Sequence, residues 1–570
     1  MLISGTENSK AVAAPGLVAA RHAPKATMAA RFLPSLTDVA FLMPISFIFM
    51  KLSGAHTLLG DGDTGWHIRT GQWILAHHQV PHTDLFSFSR PGAPWFAWEW
   101  LWDVMFALLF RSAGLAAVVL ASTLVICLTS VALFRLIRRK CDNGLVAIAV
   151  TLLATGGCAV HWLARPHLFT FLFFVLALHI TQRAQEGRTK LLGWLVPLTL
   201  VWTNIHGGFF VIFLILACYI GSDLLNALIE PNPAERRGYL SRTIPWLATF
   251  AACAAVTFIN PYGWQLHQHV ITYLGDPYLL QHIAEFQGLD FHAPVAVYFE
   301  PMMIAALAAS IWAIRQRRFA EVFLAIGWMH LSLTVHRNVP LFSIACAPLI
   351  AEAIMALIRS AKSAGLVGQV DKVTAWFQNA SASVDVTDRI GRVHLVSAFS
   401  VVVLAALLLM PKPLDERFVS TFDPKIFPAG AIPVLTQNAT HRIWAQDQWG
   451  DYLIYRLYPG TKVFIDGRSD FYGDKFGEDY LGTLDVQVGW DKPFDRYGID
   501  TIVVAPTLAL SSTLKVSRDW RVVYDDHVSV VFRRNGPAPS SFVSDGEGNN
   551  RDRVITKTNT RDPKITQPGS

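Results

Sequence analysis

The chain of 570 residues is 52% hydrophobic and only 16% charged, with a mean hydropathy of +0.36, whereas about 25% of the residues in ordinary soluble domains are charged. This composition excludes a soluble globular protein and indicates a membrane protein. The net charge of +6 comes with basic residues in short loops between apolar runs, a pattern that orients membrane helices and argues against a nucleic-acid partner. The six cysteines form no CxxC pair and predict neither a disulfide scaffold nor a zinc site.

Four regions follow one another along the chain. Residues 1–35 are Ala-rich and carry basic residues ahead of the first apolar run, which predicts a cytoplasmic segment before an uncleaved signal anchor. Residues 36–410 hold most of the apolar runs and form the predicted transmembrane domain. Residues 536–570 have few large apolar residues and predict a disordered tail. Residues 411–535 predict a small extracytoplasmic α/β domain with the strands HRIWAQD, KVFIDG, DTIVVAP, WRVVY and VSVVFRR.

Eleven apolar stretches are each long enough to cross a bilayer as a helix, and a twelfth, shorter one runs from Trp98 to Phe110. The twelfth decides the topology, because every later loop changes sides if it spans. If it lies flat at the membrane surface, all clusters of Lys and Arg fall on one side, as the positive-inside rule requires. We therefore predict a mainly α, polytopic bundle of about eleven spans in a bacterial inner membrane, with the N-terminus inside. The spans are centred near residues 45, 125, 153, 176, 197, 217, 251, 304, 327, 349 and 402.

The first loop, residues 60–112, lies outside in this topology together with the C-terminal domain, and it begins with Asp61 and Asp63. If a helix starts at Thr64, Asp63 is its natural N-cap and His67 follows on the same face, which would explain the acid without any chemistry. Alternatively, one of the two carboxylates acts as a general base or holds a divalent cation, where a lipid-linked substrate would arrive. Both interpretations stay open from the sequence alone.

Other predicted outer turns bring polar side chains to the same side of the membrane. Ionisable groups gathered on one face of a membrane bundle predict a substrate site. Each of them also has a structural explanation: the arginines can extend toward lipid phosphates, the histidines can be satisfied interfacial side chains, and the asparagine can tie helix ends together. These candidate substrate-binding residues are Arg165, His167, Asn204, His206, His336 and Arg337, in addition to His67.

The run from Asp61 to Trp100 contains the elements D-x-D, W-H, G-x-W-I-L, P-H-T-D-x-F-S-F and E-W. It resembles the first loop of bacterial membrane glycosyltransferases of the GT-C superfamily, in the group of the RgtA/B/C/D-like proteins. The likeness continues in the R-P-H turn that starts at Arg165 and in the C-terminal runs FIDGRSDFYGD and W-R-V-V-Y-D-D. It covers most of the chain outside its two ends.

The resemblance implies a GT-C membrane fold that transfers a sugar from a polyprenyl-phosphate donor on the outer face, with an acidic residue of the first loop taking part. Asp63 matches that acidic position best, Asp61 is its neighbour, and Glu99 is a candidate second carboxylate. At the preceding position this chain has Trp98 where the resemblance leads us to expect a histidine. A supporting imidazole is therefore missing or replaced at that position.

These observations lead to a hypothesis of direct displacement at the anomeric carbon. Asp63 takes the proton of an acceptor hydroxyl, and Arg165 or Arg337 stabilises the polyprenyl phosphate that leaves. The expected partners are the lipid-linked donor, a glycan, lipid or protein acceptor, and membrane lipid; a divalent cation is not required. Asp466 and Arg468 either form a solvated strand end or belong to a loop that folds back over the first loop and helps to bind the acceptor.

Two other functions fit the sequence. A transporter or lipid-handling protein would show charged residues at mid-span and broken helices in symmetric positions, and the apolar runs contain few such residues. A catalytically silent scaffold with the same fold is the second alternative. The hypothesis of an enzyme requires that Asp63, Arg165, His167 and Arg337 lie within about 15 Å of one another, so that one substrate can meet them all.

Overall fold

The computed structural model describes residues 28–363, 369–388, 392–437 and 442–536, and it is mostly helical with one small sheet. Most of the predicted N-terminal segment, and all of the predicted tail except Gly536, lie outside the described residues. Up to residue 408 the helices are α1 (Leu36–Ser46), α2 (Ala55–Leu58), α3 (Asp63–His77), α4 (Trp100–Cys141), α5 (Gly144–Cys158), α6 (His167–Gln185), α7 (Leu195–Ile205), α8 (Val211–Ile229), α9 (Pro233–Val256), α10 (Trp264–Leu274), α11 (Pro277–His282), α12 (Ala296–Arg315), α13 (Phe319–Thr334), α14 (Val339–Ser363), α15 (Gln369–Asp388) and α16 (Leu395–Leu408).

Each of the eleven predicted span centres falls within one of these helices. Six helices in the described part of the chain are long and apolar enough to cross a membrane: α4, α5, α6, α8, α12 and α14, some of them with a flanking 3₁₀ turn. Helices α13 and α16 are apolar but shorter. The multi-pass membrane bundle is therefore confirmed, whereas the number of eleven spans stays a prediction.

Helix α4 is broken near its start, close to the segment on which the predicted topology depends. Ala113 and Gly114 have non-helical backbone angles, and Gly114 has a φ of +62°, a conformation that glycine adopts at little cost. The break separates a short amphipathic helix, which begins at Trp100, from the long apolar helix that follows it. Helix α3 packs against this short helix so closely that Gly71 faces the backbone carbonyl of Asp103.

The C-terminal domain contains a four-stranded sheet of order β1-β2-β4-β3, in which β1 pairs with β2 in parallel and the other pairs are antiparallel. Its elements are α17 (Ile432–Gln437), β1 (Ile443–Ala445), α18 (Asp447–Leu457), α19 (Ser469–Tyr472), α20 (Asp474–Leu484), α21 (Lys492–Arg496), β2 (Thr501–Val504), α22 (Ala509–Val516), β3 (Trp520–Asp525) and β4 (Val530–Arg534).

The prediction of a strand at KVFIDG is wrong. Only Val463 of this segment makes bridges, one to Ile443 and one to Ser87 of the first loop. The Val463 N–H donates to the carbonyl of Phe86, and the Val463 carbonyl accepts from the N–H of Phe88. These isolated bridges attach the first loop to the C-terminal domain.

Helix α18 docks on α3 and strengthens this attachment. Side chains at Gly62 and Gly65 would collide with α18, at the backbone of Gln448 and the Cβ of Tyr455 respectively. Arg69 of α3 donates from Nε to the Tyr455 carbonyl at 2.9 Å. The two helices approach so closely because the facing positions of α3 are glycines, and this contact brings α18 next to Asp63.

We expect Gly71→Ala to destabilise the protein, because its added methyl group collides with the Asp103 carbonyl and α3 and α4 must separate. Gly238→Ala, inside α9, adds the same methyl group where no atom lies within 4 Å and is the matched control. Both substitutions gain about 1 kcal/mol of helix propensity. Thermal unfolding in detergent should give a lower midpoint for Gly71→Ala than for Gly238→Ala; equal midpoints would contradict the close packing of α3 on α4.

Candidate active site

The two acids at the start of the first loop are held by its backbone. The N-cap of α3 is Gly62, and Asp63 is already inside the helix, so the prediction that Asp63 caps this helix is wrong. Asp63 instead donates its backbone N–H to Asp61 Oδ1 at 2.9 Å. Asp63 Oδ1 accepts a hydrogen bond of 3.2 Å from Trp66 Nε1. Asp63 Oδ2 is left to contact other segments.

Arg165, in the turn between α5 and α6, joins both acids. Its Nη1 lies 2.7 Å from Asp61 Oδ2, and its Nη2 lies 2.7 Å from Asp63 Oδ2. The same guanidinium reaches Glu285 at 2.8 Å, and Arg337 Nη1 lies 3.8 Å from the other oxygen of Glu285. We call these five residues the carboxylate–arginine cluster. Both arginines are held in ion pairs rather than extended toward lipid, and each keeps about a fifth of its side chain exposed.

Asp451 of α18 approaches this cluster from the C-terminal domain. Its Oδ1 accepts from the Gly467 N–H at 2.9 Å. A Cβ atom at Gly467 would lie 2.5 Å from Asp63 Oδ1 and 2.6 Å from Asp451 Oδ2, so both carboxylate oxygens lie beside the same glycine. Burial and the neighbouring carboxylates raise the pKa of Asp451, and burial raises the pKa of Asp63 although Arg165 opposes the shift. Each of these two carboxylates, when ionised, makes the ionised form of the other less favourable.

The other two acids of the cluster, Asp61 and Glu285, have pKa values that are shifted in opposite directions. Burial and the neighbouring Asp63 raise the pKa of Asp61 to about 7, against the opposing effect of Arg165. Burial also acts to raise the pKa of Glu285, but Arg165, His161 and Arg337 outweigh it and hold that pKa well below its ordinary value. Glu285 is therefore the carboxylate that stays ionised at neutral pH.

A second group of polar side chains surrounds Glu99. His67 Nε2 lies 3.7 Å from one carboxylate oxygen and His206 Nε2 lies 3.6 Å from the other. His67 Nδ1 is hydrogen-bonded to Asp103 Oδ1 at 2.6 Å. Burial raises the pKa of Glu99 to about 8 and lowers the pKa of His67 well below its ordinary value. The imidazoles near Glu99 thus come from α3 and from the turn after α7 rather than from position 98.

The two groups are connected. The Trp66 indole, hydrogen-bonded to Asp63, stacks on the His67 ring with 3.7 Å between ring centroids. His167 donates a hydrogen bond of 2.7 Å from Nε2 to the His161 carbonyl, and its ring lies 6.4 Å from that of His206. Asp63, Arg165, His167 and Arg337 therefore belong to one network of neighbouring side chains, whereas their role in binding a substrate stays a prediction.

The remaining predicted residues have other surroundings. Asn204 donates to the carbonyls of Leu200 and Ile259 and accepts from Trp100 Nε1, so its side chain ties helix ends together. His336 donates its backbone N–H to the carbonyl of Gln287, two residues after Glu285.

Asp466 and Arg468 are buried, which corrects the expectation of a solvated strand end. Arg468 pairs with Asp466 at 2.7 Å and with Asp84 of the first loop at 2.8 Å, and the side chains of all three are at most 2% exposed. This loop does fold back over the first loop. Its buried ion pairs fasten the C-terminal domain there, and a role of Asp466 and Arg468 in binding the acceptor stays a prediction.

Sequence reasoning missed Glu285 and Asp451. Glu285 is one acid in a long loop, and nothing in its neighbours Ala284 and Phe286 indicates a partner. Asp451 follows Gly450 in an amphipathic helix, where an acid is most often solvated. Only the apolar residues Trp449 and Tyr452, which are buried on either side of Asp451 in the chain, could have indicated that Asp451 is buried.

The suggestion of a divalent cation at Asp61 and Asp63 does not fit these residues as they are arranged. The guanidinium of Arg165 lies between the two carboxylates, at the position that a shared cation would take. Within the described ranges, no group of three or more His, Cys, Asp or Glu side chains could hold a metal ion. The positive charge that these acids need comes from arginine.

We expect Glu99 to contribute stability that is lost as the pH rises from about 5 to 8. Its pKa is about 8 in the folded protein and 4.5 ordinarily, so between these values the folded state holds a proton that the unfolded state releases. Each such proton gives a slope of about 1.4 kcal/mol per pH unit. Between pH 5 and 8, the thermal unfolding midpoint of Glu99→Gln should decline less steeply than that of wild type. The control Glu235→Gln, at an exposed position, should decline as steeply as wild type. Parallel declines would contradict the protonated state of Glu99.

No protein-family model and no curated protein matches the sequence. The archaeal oligosaccharyltransferase AglB from Archaeoglobus fulgidus, solved with an inhibitory peptide and a dolichol-phosphate, aligns over 82% of this chain and 69% of its own, with 12% identity and a TM-score of 0.50. The same enzyme tethered with an acceptor peptide aligns over 88% and 74%, with 10% identity and a TM-score of 0.50. ArnT from Cupriavidus metallidurans bound to undecaprenyl phosphate covers 88% and 98% at 13% identity, but its TM-score of 0.41 supports no conclusion. The likeness to the oligosaccharyltransferase shows that this chain shares the fold of that protein.

Proposed function

We propose that this chain is a membrane glycosyltransferase that moves a sugar from a polyprenyl-phosphate donor to a cell-envelope acceptor, at the outer face of a bacterial inner membrane. The observation that carries the proposal is the carboxylate–arginine cluster, in which Arg165 pairs with Asp61 and Asp63 and Glu285 joins Arg165 to Arg337. Cations for a phosphate and a base for a hydroxyl are the two requirements of this reaction. A dolichol-phosphate bound to a protein of the same fold supports the lipid-phosphate donor.

Asp63 is the proposed base. Arg165 opposes the rise in the pKa of Asp63 and favours its ionised form. The Asp63 carboxylate accepts the proton of the acceptor hydroxyl as the hydroxyl oxygen forms its bond to the anomeric carbon. The bond from that carbon to the donor phosphate breaks at the same time, and the electron pair leaves with the polyprenyl phosphate. Gly467 keeps the two carboxylates close, because any side chain there would separate them.

Arg165 and Arg337 are proposed to bind the phosphate. Glu285 contacts both guanidiniums and is ionised, so it holds the two cations near each other in the absence of a substrate. The phosphate can share these cations with Glu285, and the Tyr273 hydroxyl, 3.3 Å from Arg337 Nη1, lies at the same place. Arginine binds phosphate through two N–H groups and keeps its charge.

We expect Asp63→Asn to lower the rate of transfer by about 10²- to 10⁴-fold, which is the usual contribution of a general base. The matched control is Asp519→Asn, at an exposed aspartate of the C-terminal domain. Purified protein would be given a panel of undecaprenyl-phosphate sugars with a membrane extract as acceptor, and release of undecaprenyl phosphate would be measured. Wild-type rates in Asp63→Asn would remove it from the mechanism, and no release with any donor would favour a silent scaffold or a lipid-handling protein.

We expect Arg337→Gln to weaken the binding of undecaprenyl phosphate by about 10- to 100-fold, since a charge-assisted hydrogen bond contributes about 1.5 to 3 kcal/mol. The control is Arg521→Gln, at an exposed position of β3, because it removes the same positive charge as Arg337→Gln does. The affinity can be measured by titrating the detergent-solubilised protein with undecaprenyl phosphate. Equal affinities of the two variants would show that Arg337 does not contact the phosphate.

A further inference from the structure

The C-terminal domain contains a cavity of about 460 Å³ that shares no residue with the carboxylate–arginine cluster. This volume lies within the range of about 300 to 1,000 Å³ that is typical of small-molecule sites. Its walls come from α20, the loop of residues 485–491 and α21. Aromatic rings and polar groups alternate around it, including Tyr480, Trp490, Tyr497, Glu478, Gln487 and Lys492.

The loop that borders this cavity has a strained backbone. Val486 has a φ of +59°, which is a rare conformation for a β-branched residue. Val488, two residues later, lies at the edge of the cavity and its side chain is fully exposed. Gly489 then turns the chain with a φ of +86°. Strain of this kind persists only where the surrounding structure enforces it, and it is concentrated at binding sites.

Two contacts link the cavity to the candidate active site. The Tyr480 hydroxyl accepts a hydrogen bond of 3.0 Å from the N–H of Asp447, the first residue of α18. Asp451 follows on the same helix about one turn later. On the other side, Gly477 of α20 packs against the ring of Tyr278, in the loop that also carries Glu285. The wall of the cavity is therefore in contact with the helix that carries Asp451.

We propose that this cavity binds a carbohydrate portion of the acceptor. The inference rests on the proposed function and names the acceptor class as a glycan. Aromatic rings present a negative face that suits the C–H groups on one face of a sugar ring. Carboxylates, an amide and an ammonium group beside those rings supply both acceptors and donors for sugar hydroxyls. No strand residue lines the cavity, so a peptide could not bind here by adding a strand to the sheet.

The test is a calorimetric titration of the full-length protein in detergent with maltotriose, triacetylchitotriose and trigalacturonic acid. We expect at least one of these probes to bind, and Trp490→Ala to weaken its binding by about tenfold or more, as the loss of a central aromatic contact usually does. Trp264→Ala removes an indole that is 61% exposed outside the cavity and should bind like wild type. Absence of binding for all three probes would overturn the proposal.

A second variant guards against a loss of folding, because the Trp490 ring also packs on Phe494. Lys492 is exposed and lines the cavity, so Lys492→Ala should lower the affinity several-fold without changing the thermal unfolding midpoint. Unchanged affinity in both variants would overturn the proposal. The proposal would also be overturned if a random hexapeptide pool competed with the glycan probe and Trp490→Ala abolished that competition, because the cavity would then be a peptide site.

The outcome is separable from that of the proposed function. Glycan binding that depends on Trp490, without release of undecaprenyl phosphate from any donor, would support the cavity and reject the glycosyltransferase. Release that requires Asp63, combined with no glycan binding, would support the glycosyltransferase and reject the cavity as its acceptor site.

Discussion

The ion pairs of Arg165 are the interaction on which the site depends. One guanidinium joins the first loop through Asp61 and Asp63, the turn between α5 and α6, and the distant loop that carries Glu285. A buried cation without partners costs several kcal/mol, and so does a buried acid without a cation. Each of the three segments therefore needs the other two in place. The site is assembled by charge, whereas the surrounding bundle is assembled by apolar packing.

Much of this arrangement could be predicted from the sequence, because the signals are local. Hydropathy over a window of about 20 residues identifies membrane helices without knowledge of their neighbours, and all eleven predicted centres fall in helices. Asp61, Asp63, Arg165 and Arg337 could be chosen because they interrupt or end apolar runs. A charge at the end of a membrane helix is conspicuous in a chain that is only 16% charged.

What could not be predicted depends on contacts between segments far apart in the chain. The backbone N–H of Gly62 donates a hydrogen bond to the side chain of Gln448, which lies 386 residues later in the chain. The same docking of α18 brings Asp451 to Asp63. In the polar C-terminal domain an acid is unremarkable, so only the fold reveals that Asp451 is buried. The errors have the same origin: KVFIDG has the pattern of a strand, and Asp466 the pattern of a turn, but both are buried against the first loop.

A phosphate is negatively charged, yet the proposed site contains more acids than arginines. Burial of these acids resolves this difficulty. With Asp61, Asp63, Glu99, Asp451 and Glu285 all ionised, two arginines would face five negative charges and repel an anionic donor. Burial instead raises the pKa of Glu99 to about 8 and that of Asp61 to about 7, and it raises the pKa of the adjacent Asp63 and Asp451. These shifts reduce the negative charge that faces the two arginines. A lower dielectric around the acids would therefore favour the approach of the phosphate in the proposed reaction.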